Sequence, residues 1–347
     1  MRPKLHLLTS QDLVADDEVE TAEAKTIDTA PSATEVTKIE PIRATCERCN
    51  HEWTDCCCDQ HGWTFFGQYL LLQPRGADPV YAVRALNCTT PPLSTEQIDM
   101  GAFSAFKFGI AKECGECSTI GASFTRFESV EEDRAARTTG TDVLRPVLAF
   151  DPFVTCNDST STLAHAAAGI DFTRVDIDYR SYIDCGCFRF DWLAGFAYGE
   201  LNQDLRAVYD EGRVNVDADF WGYGAKIGGG AEYRHGCLRG FGHADLTLLA
   251  SNLKAHYQEI DDGTGVVDTR VNFDQELDRI VPVLDLELGV AVDVCQNTVL
   301  KVGYTYSIWF NVVTTPEFVS AVQHRDITGT SDTLTFDGLF ARIEYTW

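Results

Sequence analysis

The sequence predicts an all-β protein, a transmembrane antiparallel up-and-down β-barrel of about ten strands, within a range of about 8–12. Three observations point there. Segment after segment alternates apolar and polar residues with a period of two. Several of these segments exceed the roughly five or six residues usual in soluble sheets. The connections between them alternate short and long, as they do in barrels that cross a membrane.

Composition agrees. Of the 347 residues 44% are hydrophobic, enough for a folded body. Phe, Tyr and Trp number 20, 12 and 6 against 2 Met, with 27 Gly, a mixture that favours strands and tight turns over helices. The net charge of −25 argues against nucleic acid and against an anionic lipid surface. No stretch approaches 18 apolar residues, so no transmembrane helix is predicted, and a barrel needs none.

The chain divides into three parts. Residues 1–45 are polar and acidic, with Asp16-Asp17-Glu18, and read as a disordered leader. The apolar stretch at its start, Leu5, Leu7 and Leu8, is broken by His6 and is too short for a secretory signal. Export then implies a start upstream of Met1 or an unusual signal; without either, the protein stays inside. Residues 46–61 form a compact Cys/His-rich segment, and the barrel is expected over 62–347.

Ten alternating segments carry it: 62–73, 99–111, 118–128, 169–183, 188–200, 216–234, 237–252, 280–294, 297–312 and 333–347. In the fifth, Phe188, Phe190, Trp192, Phe196 and Tyr198 oppose Arg189 and Asp191. In the sixth, Trp221, Tyr223, Ile227 and Tyr233 oppose Lys226, Glu232, Arg234 and four glycines, Gly222, Gly224, Gly228 and Gly230. In the ninth, Leu300 to Phe310 alternate with Lys301, Gly303, Thr305 and Ser307, with Trp309 the apolar exception. In the last, Leu339, Ala341, Ile343, Tyr345 and Trp347 share one phase, but Leu334 and Phe336 lie on the other. Either a bulge near Gly338 restores the phase, or the membrane part begins at Leu339. The terminal Tyr345 and Trp347 resemble the signal read by the barrel-insertion machinery.

Tight turns are predicted at Glu113 to Cys117, Asp184 to Cys187, Arg234 to Cys237 and Cys295 to Asn297, on the periplasmic side. Long polar connections at 74–98, 129–168, 201–215, 253–279 and 313–332 would lie outside. Cys114, Cys117, Cys185, Cys187, Cys237 and Cys295 then share the periplasmic rim, and Cys46, Cys49, Cys56, Cys57 and Cys58 precede the first strand on that side. Cys88 and Cys156 fall in outer connections, where they could pair. The cysteines allow disulfides within the rim, or disulfides to another barrel or to the cell wall. They also allow a tetrahedral Zn site built from Cys46, Cys49, His51, Cys58 and His61.

The charged phase turns inward. Its predicted lumen residues are Lys107, Arg174, Asp176, Arg189, Asp191, Lys226, Glu232, Arg239, Asp245, Asp285, Glu287, Lys301, Arg342 and Glu344, whose mixed signs imply ion-pair networks. Inward glycines would widen the path locally. About ten strands leave a lumen that is narrow or plugged. His243 and Asp245 share one inward face, but no nucleophile sits beside them, so a polar network is expected rather than an enzyme. No cofactor is implied. The acidic connection 253–279 lacks EF-hand spacing.

Residues 62–82 (GWTFFGQYLLLQPRGADPVYA), 120–129 (IGASFTRFES), 188–201 (FRFDWLAGFAYGEL) and 339–347 (LFARIEYTW) resemble the Legionella-type pore-forming outer membrane proteins, in particular their planctomycete branch. The resemblance runs over about 62–347 and is carried by Tyr69, Leu70, Leu72 and Pro74, and by Thr125, Phe127 and Ser129. It implies an outer-membrane barrel with pore activity, cysteine-linked to its neighbours, and no catalytic residues. Three functions remain open. One is a narrow porin-like channel for small polar solutes. The second is a non-conducting structural or surface barrel, cross-linked to the envelope through its rim cysteines. The third is a soluble ligand-binding β-barrel. The expected partners are outer-membrane lipid, the insertion machinery and a disulfide-linked second copy or wall component.

Overall fold

A computed structural model describes residues 62–86, 92–114, 117–137, 142–149, 161–210, 212–261, 268–295, 297–326 and 329–347. The leader, the Cys/His-rich segment with its Zn candidates Cys46, Cys49, His51, Cys58 and His61, and also Cys56, Cys57, Cys88 and Cys156, lie outside them.

The elements are β1 (Trp63–Arg75), β2 (Val80–Ala85), β3 (Ser94–Gln97), β4 (Phe103–Glu113), β5 (Ser118–Ala136), β6 (Val143–Pro146), β7 (Leu163–Cys185), β8 (Phe188–Tyr209), β9 (Gly212–His235), β10 (Leu238–Asp261), β11 (Asp268–Cys295), β12 (Thr298–Val312), α1 (Thr315–His324) and β13 (Asp332–Thr346). The closed barrel has the order β1-β13-β12-β11-β10-β9-β8-β7-β5-β4, one strand for each predicted segment. Strands β3-β2-β6 form a separate small sheet. No helix among the described residues is long and apolar enough to cross a membrane.

Closure joins the two ends of the barrel sequence. β1 and β13 pair from Thr64↔Thr346 to Arg75↔Thr335. Beyond the ladder, Trp63 and Trp347 exchange both backbone hydrogen bonds, at 2.9 and 2.8 Å. In hydrocarbon no water can satisfy a strand edge, so this seam completes the backbone bonding that a membrane requires.

The strands run further than their alternation suggested. β7 to β11 contain 23, 22, 24, 24 and 28 residues, where about 9–11 suffice to cross a bilayer. The expected connections 201–215 and 253–279 are therefore largely strand. The cause is an exchange of faces. On β8 to β11 the outward row Tyr198–Tyr223–Ala250–Ile280 is apolar. Four residues further along β8, the outward row Asn202–Asp219–Lys254–Glu276 is polar. At that same level the inward row becomes apolar, Leu201–Phe220–Leu253–Leu277. The strands have left lipid and entered water, so their apolar residues move from the outer wall to the interior.

The same exchange settles the last strand. The β12–β13 register runs without a shift from Thr298↔Tyr345 to Phe310↔Thr333, so no bulge occurs at Gly338. The lipid-facing part begins at Leu339, and Leu334 and Phe336 point inward, fully buried.

The outer mouth is filled, not left as open loops. The expected polar connection 313–332 contains α1, which starts at a Pro-containing turn and buries Phe318, Val319 and Val322 against the barrel. Gln203 Nε2 donates to the Val313 carbonyl (2.8 Å), and Thr314 Oγ1 to Asp332 (2.8 Å), which fixes the entry to this helix. The small sheet is tied in by Tyr209, whose hydroxyl donates to the Tyr81 carbonyl (2.6 Å). Tyr81 in turn donates to Asp133 (2.9 Å), and burial together with that carboxylate pushes its hydroxyl pKa up. At the opposite end the barrel closes in short turns that carry Cys114, Cys117, Cys185, Cys187, Cys237 and Cys295. Cys114, Cys117, Cys237 and Cys295 hold free thiols, and Cys187 is in a disulfide.

Ile227 and Asp217 share the outward face of β9, on either side of the exchange. Ile227→Arg is expected to destabilise the protein in a bilayer by about 2–4 kcal/mol, and Asp217→Arg by no more than about 0.5 kcal/mol. Urea unfolding in lipid vesicles checks both; equal costs at the two positions would remove the membrane boundary from between them.

Candidate functional site

The lower half of the barrel encloses a cavity of about 420 Å³. All fourteen lumen residues named from the sequence line it: Lys107, Arg174, Asp176, Arg189, Asp191, Lys226, Glu232, Arg239, Asp245, Asp285, Glu287, Lys301, Arg342 and Glu344. Each sits on the inward phase of its strand because the lipid-facing phase is reserved for apolar side chains.

Their pairing crosses the lumen. Arg174 donates to Asp176 (3.0 Å) on its own strand, to Asp285 on β11 (2.6 Å) and to Thr247 on β10 (3.0 Å). Ser307 on β12 donates to the second oxygen of Asp285 (2.6 Å). Arg342 bonds Gln68 (2.8 Å) and Glu287 (3.1 Å), and Lys301 pairs with Glu344 (3.0 Å). Near the rim, Arg239 bridges Glu232 (3.4 Å) and Asp293 (2.7 Å), and Arg189 pairs with Asp184 (2.7 Å). Lys226, only 5% exposed, serves three carboxylates at once: Asp176 (3.4 Å), Asp178 (3.5 Å) and Asp245 (3.4 Å).

His243 and Asp245 both line the cavity, and His243 Nδ1 lies 3.4 Å from Asp191 on β8. One detail differs from the sequence expectation: the inward glycines of β9 do not widen the lumen. A Cβ at Gly228 would strike the Asp245 carboxylate, and one at Gly230 would strike the His243 ring, so these glycines make room for the side chains of β10.

Above the cavity lies a layer that the alternation did not announce. Phe172 stacks on Phe127 (5.4 Å between ring centres) and tilts against Phe336 (4.8 Å) and Trp309 (6.1 Å). Phe220 meets Trp309 edge-on at 5.7 Å. These rings come from β5, β7, β9, β12 and β13 and span the lumen. An apolar register row, Leu70–Ala105–Phe127–Phe172–Leu201–Phe220, runs along the wall at this level. The signal was present in the sequence, since Trp309 and Phe336 each broke the polar phase of their strand.

On the outside, Phe188, Phe190, Trp192, Trp221, Tyr223, Tyr233, Tyr345 and Trp347 stand exposed in bands. Aromatic rings at both edges of an apolar wall are the girdles of a membrane barrel. A soluble barrel would turn these faces inward, so the soluble ligand-binding alternative does not fit this wall.

Lys226→Met removes the ion-pair partner of Asp178 and Asp245 and is expected to cost about 3–5 kcal/mol in urea unfolding. Adding Asp178→Asn and Asp245→Asn should restore most of that loss; no recovery would show that Lys226 acts through packing alone. Three solved structures similar to this chain are distant from it. The outer membrane protease OmpT of Escherichia coli is 11% identical, with a TM-score of 0.46, covering 82% of this chain and 97% of its own. Neisserial surface protein A is 8% identical, with a TM-score of 0.28 and the same coverages. The toluene transporter TodX of Pseudomonas putida is 8% identical, with a TM-score of 0.29, covering 84% of this chain and 90% of its own. No curated protein matches the chain significantly. Residues 55–347 match the family described as the Legionella pneumophila major outer membrane protein precursor, and the chain belongs to this family of outer-membrane β-barrels.

Proposed function

We propose that the protein is a narrow porin-like channel for small polar solutes, whose resistance is set by the aromatic layer. The charged cavity in the membrane-embedded half carries this reading, because a polar interior offers small polar solutes an environment that the surrounding hydrocarbon does not. The aromatic layer favours one competing reading, a non-conducting structural barrel held to the envelope through its rim cysteines. In either case the barrel sits in outer-membrane lipid. Tyr345 and Trp347 at the seam are suited to recognition by the insertion machinery, and the free thiols of Cys114, Cys117, Cys237 and Cys295 could form disulfides to a second copy or a wall partner.

Single-channel recording in planar bilayers tests the channel. The native chain is expected to conduct well below the level of 16–18-stranded porins. Trp309→Ala with Phe336→Ala should raise that conductance severalfold. Silence from both proteins, once each is shown to be folded and inserted, would overturn the channel and leave the structural barrel.

A further inference from the structure

The lumen's ion pairs leave basic and acidic groups with unused bonding capacity in one cavity. On one wall, register neighbours on β12, β13, β1, β4, β5 and β7 form the row Lys301–Arg342–Gln68–Lys107–Thr125–Arg174, which contains no carboxylate. Lys301, Arg342 and Arg174 each reach carboxylates elsewhere. Lys107 lines the cavity with no hydrogen bond or ion pair among the described residues. Arg180, also at the cavity, reaches only Asp191 among them, at 3.4 Å.

Elsewhere in the cavity the surplus is acidic. β7 and β10 bring Asp176, Asp178 and Asp245 to the single ammonium of Lys226. One oxygen each of Asp178 and Asp245 packs against the wall at Gly195 and Gly228, and the other oxygen of each has only its long contact to Lys226, at 3.5 and 3.4 Å. In the closed barrel order β4 and β10 stand five strands apart, so Lys107 and Asp245 rise from opposite walls, while Asp178 and Arg180 share β7.

A net anion entering this space meets the surplus carboxylates, and a net cation meets Lys107 and Arg180. A solute that carries both charges satisfies both surpluses at no net charge. We propose that the cavity binds a small zwitterion of the α-amino acid class, its carboxylate on Lys107 and Arg180 and its ammonium on Asp178 and Asp245. The volume of about 420 Å³ lies within the range of small-molecule sites, roughly 300–1,000 Å³. As a statement about what permeates, this rests on the channel reading; as a binding site it is tested apart from conductance.

The experiment is calorimetric titration of the refolded full chain in detergent with L-serine, acetate and ethylammonium. Saturable binding of serine is expected, with acetate and ethylammonium each at least about tenfold weaker. Lys107→Gln and Asp245→Asn should each weaken serine about ten- to hundredfold, the loss of one charge-assisted bond. Retained heat-modifiable migration on gels establishes that each variant is folded, and Lys107→Arg, which keeps the charge, should retain most of the affinity. Acetate binding as tightly as serine, ethylammonium doing so, no saturable binding of any of the three, or indifference to Lys107→Gln would each overturn the proposal. Conductance without serine binding leaves the channel standing and removes this site; serine binding without conductance does the reverse.

Discussion

In hydrocarbon the outward side of a barrel strand has to be apolar while its inward side can carry charge. In water above the bilayer the two requirements swap. β7 to β11 satisfy both along single continuous strands, and much of the architecture follows from that exchange. It places the charged cavity in the embedded half and an apolar core in the half that stands clear of the membrane. The aromatic layer of Phe127, Phe172, Phe220, Trp309 and Phe336 marks the level at which one interior gives way to the other. α1 and the β3-β2-β6 sheet can pack at the mouth because the upper core offers them an apolar surface.

The exchange also explains which parts of the fold were legible in the sequence. All ten barrel strands were readable, since Phe188 to Tyr198 or Leu300 to Phe310 alternate in one phase over a full membrane crossing. The continuation of β8 was not, although Leu201, Leu205 and Ala207 keep the period of two. The phase had switched sides, and polar outward residues such as Asn202 and Asp204 made the segment look like a connection. α1 was overlooked for a related reason. Pro316, Glu317 and the spacing of Phe318, Val319 and Val322 are helix signals, but they sit in a stretch whose flanks are polar.

The lumen divides along a similar line. Facing was readable from phase alone, so the fourteen charged residues could be named. Partnership was not, because it depends on which strands stand opposite one another once the sheet has closed. His243 and Asp245 are neighbours in phase, yet the partner of His243 comes from β8 and that of Asp245 from β9. Gly228 and Gly230 have the same explanation: the space they leave is claimed by an adjacent strand, and a single strand's sequence does not record it. Pairing across the lumen also has a mechanical effect. Arg174 joins β7, β10 and β11, and Arg342 joins β13, β1 and β11, so the charged half is cross-braced by side chains as well as by backbone.

The seam between β1 and β13 has a consequence for how the molecule is made. Thr64 and Thr346, which meet there, are separated by 282 positions, whereas β7 to β13 are joined to one another as successive hairpin-like neighbours. Bringing such distant ends together costs about 5 kcal/mol of chain entropy on a simple loop-closure scale, and contacts of this separation form slowly. The ladder from β7 to β13 can zip in sequence order, but until the seam joins, the growing sheet carries two bare edges, at the first strand and at the last. Assembly of this chain is therefore a problem of high contact order concentrated in one joint, and the time that joint spends open is the time during which a foreign strand can take its place.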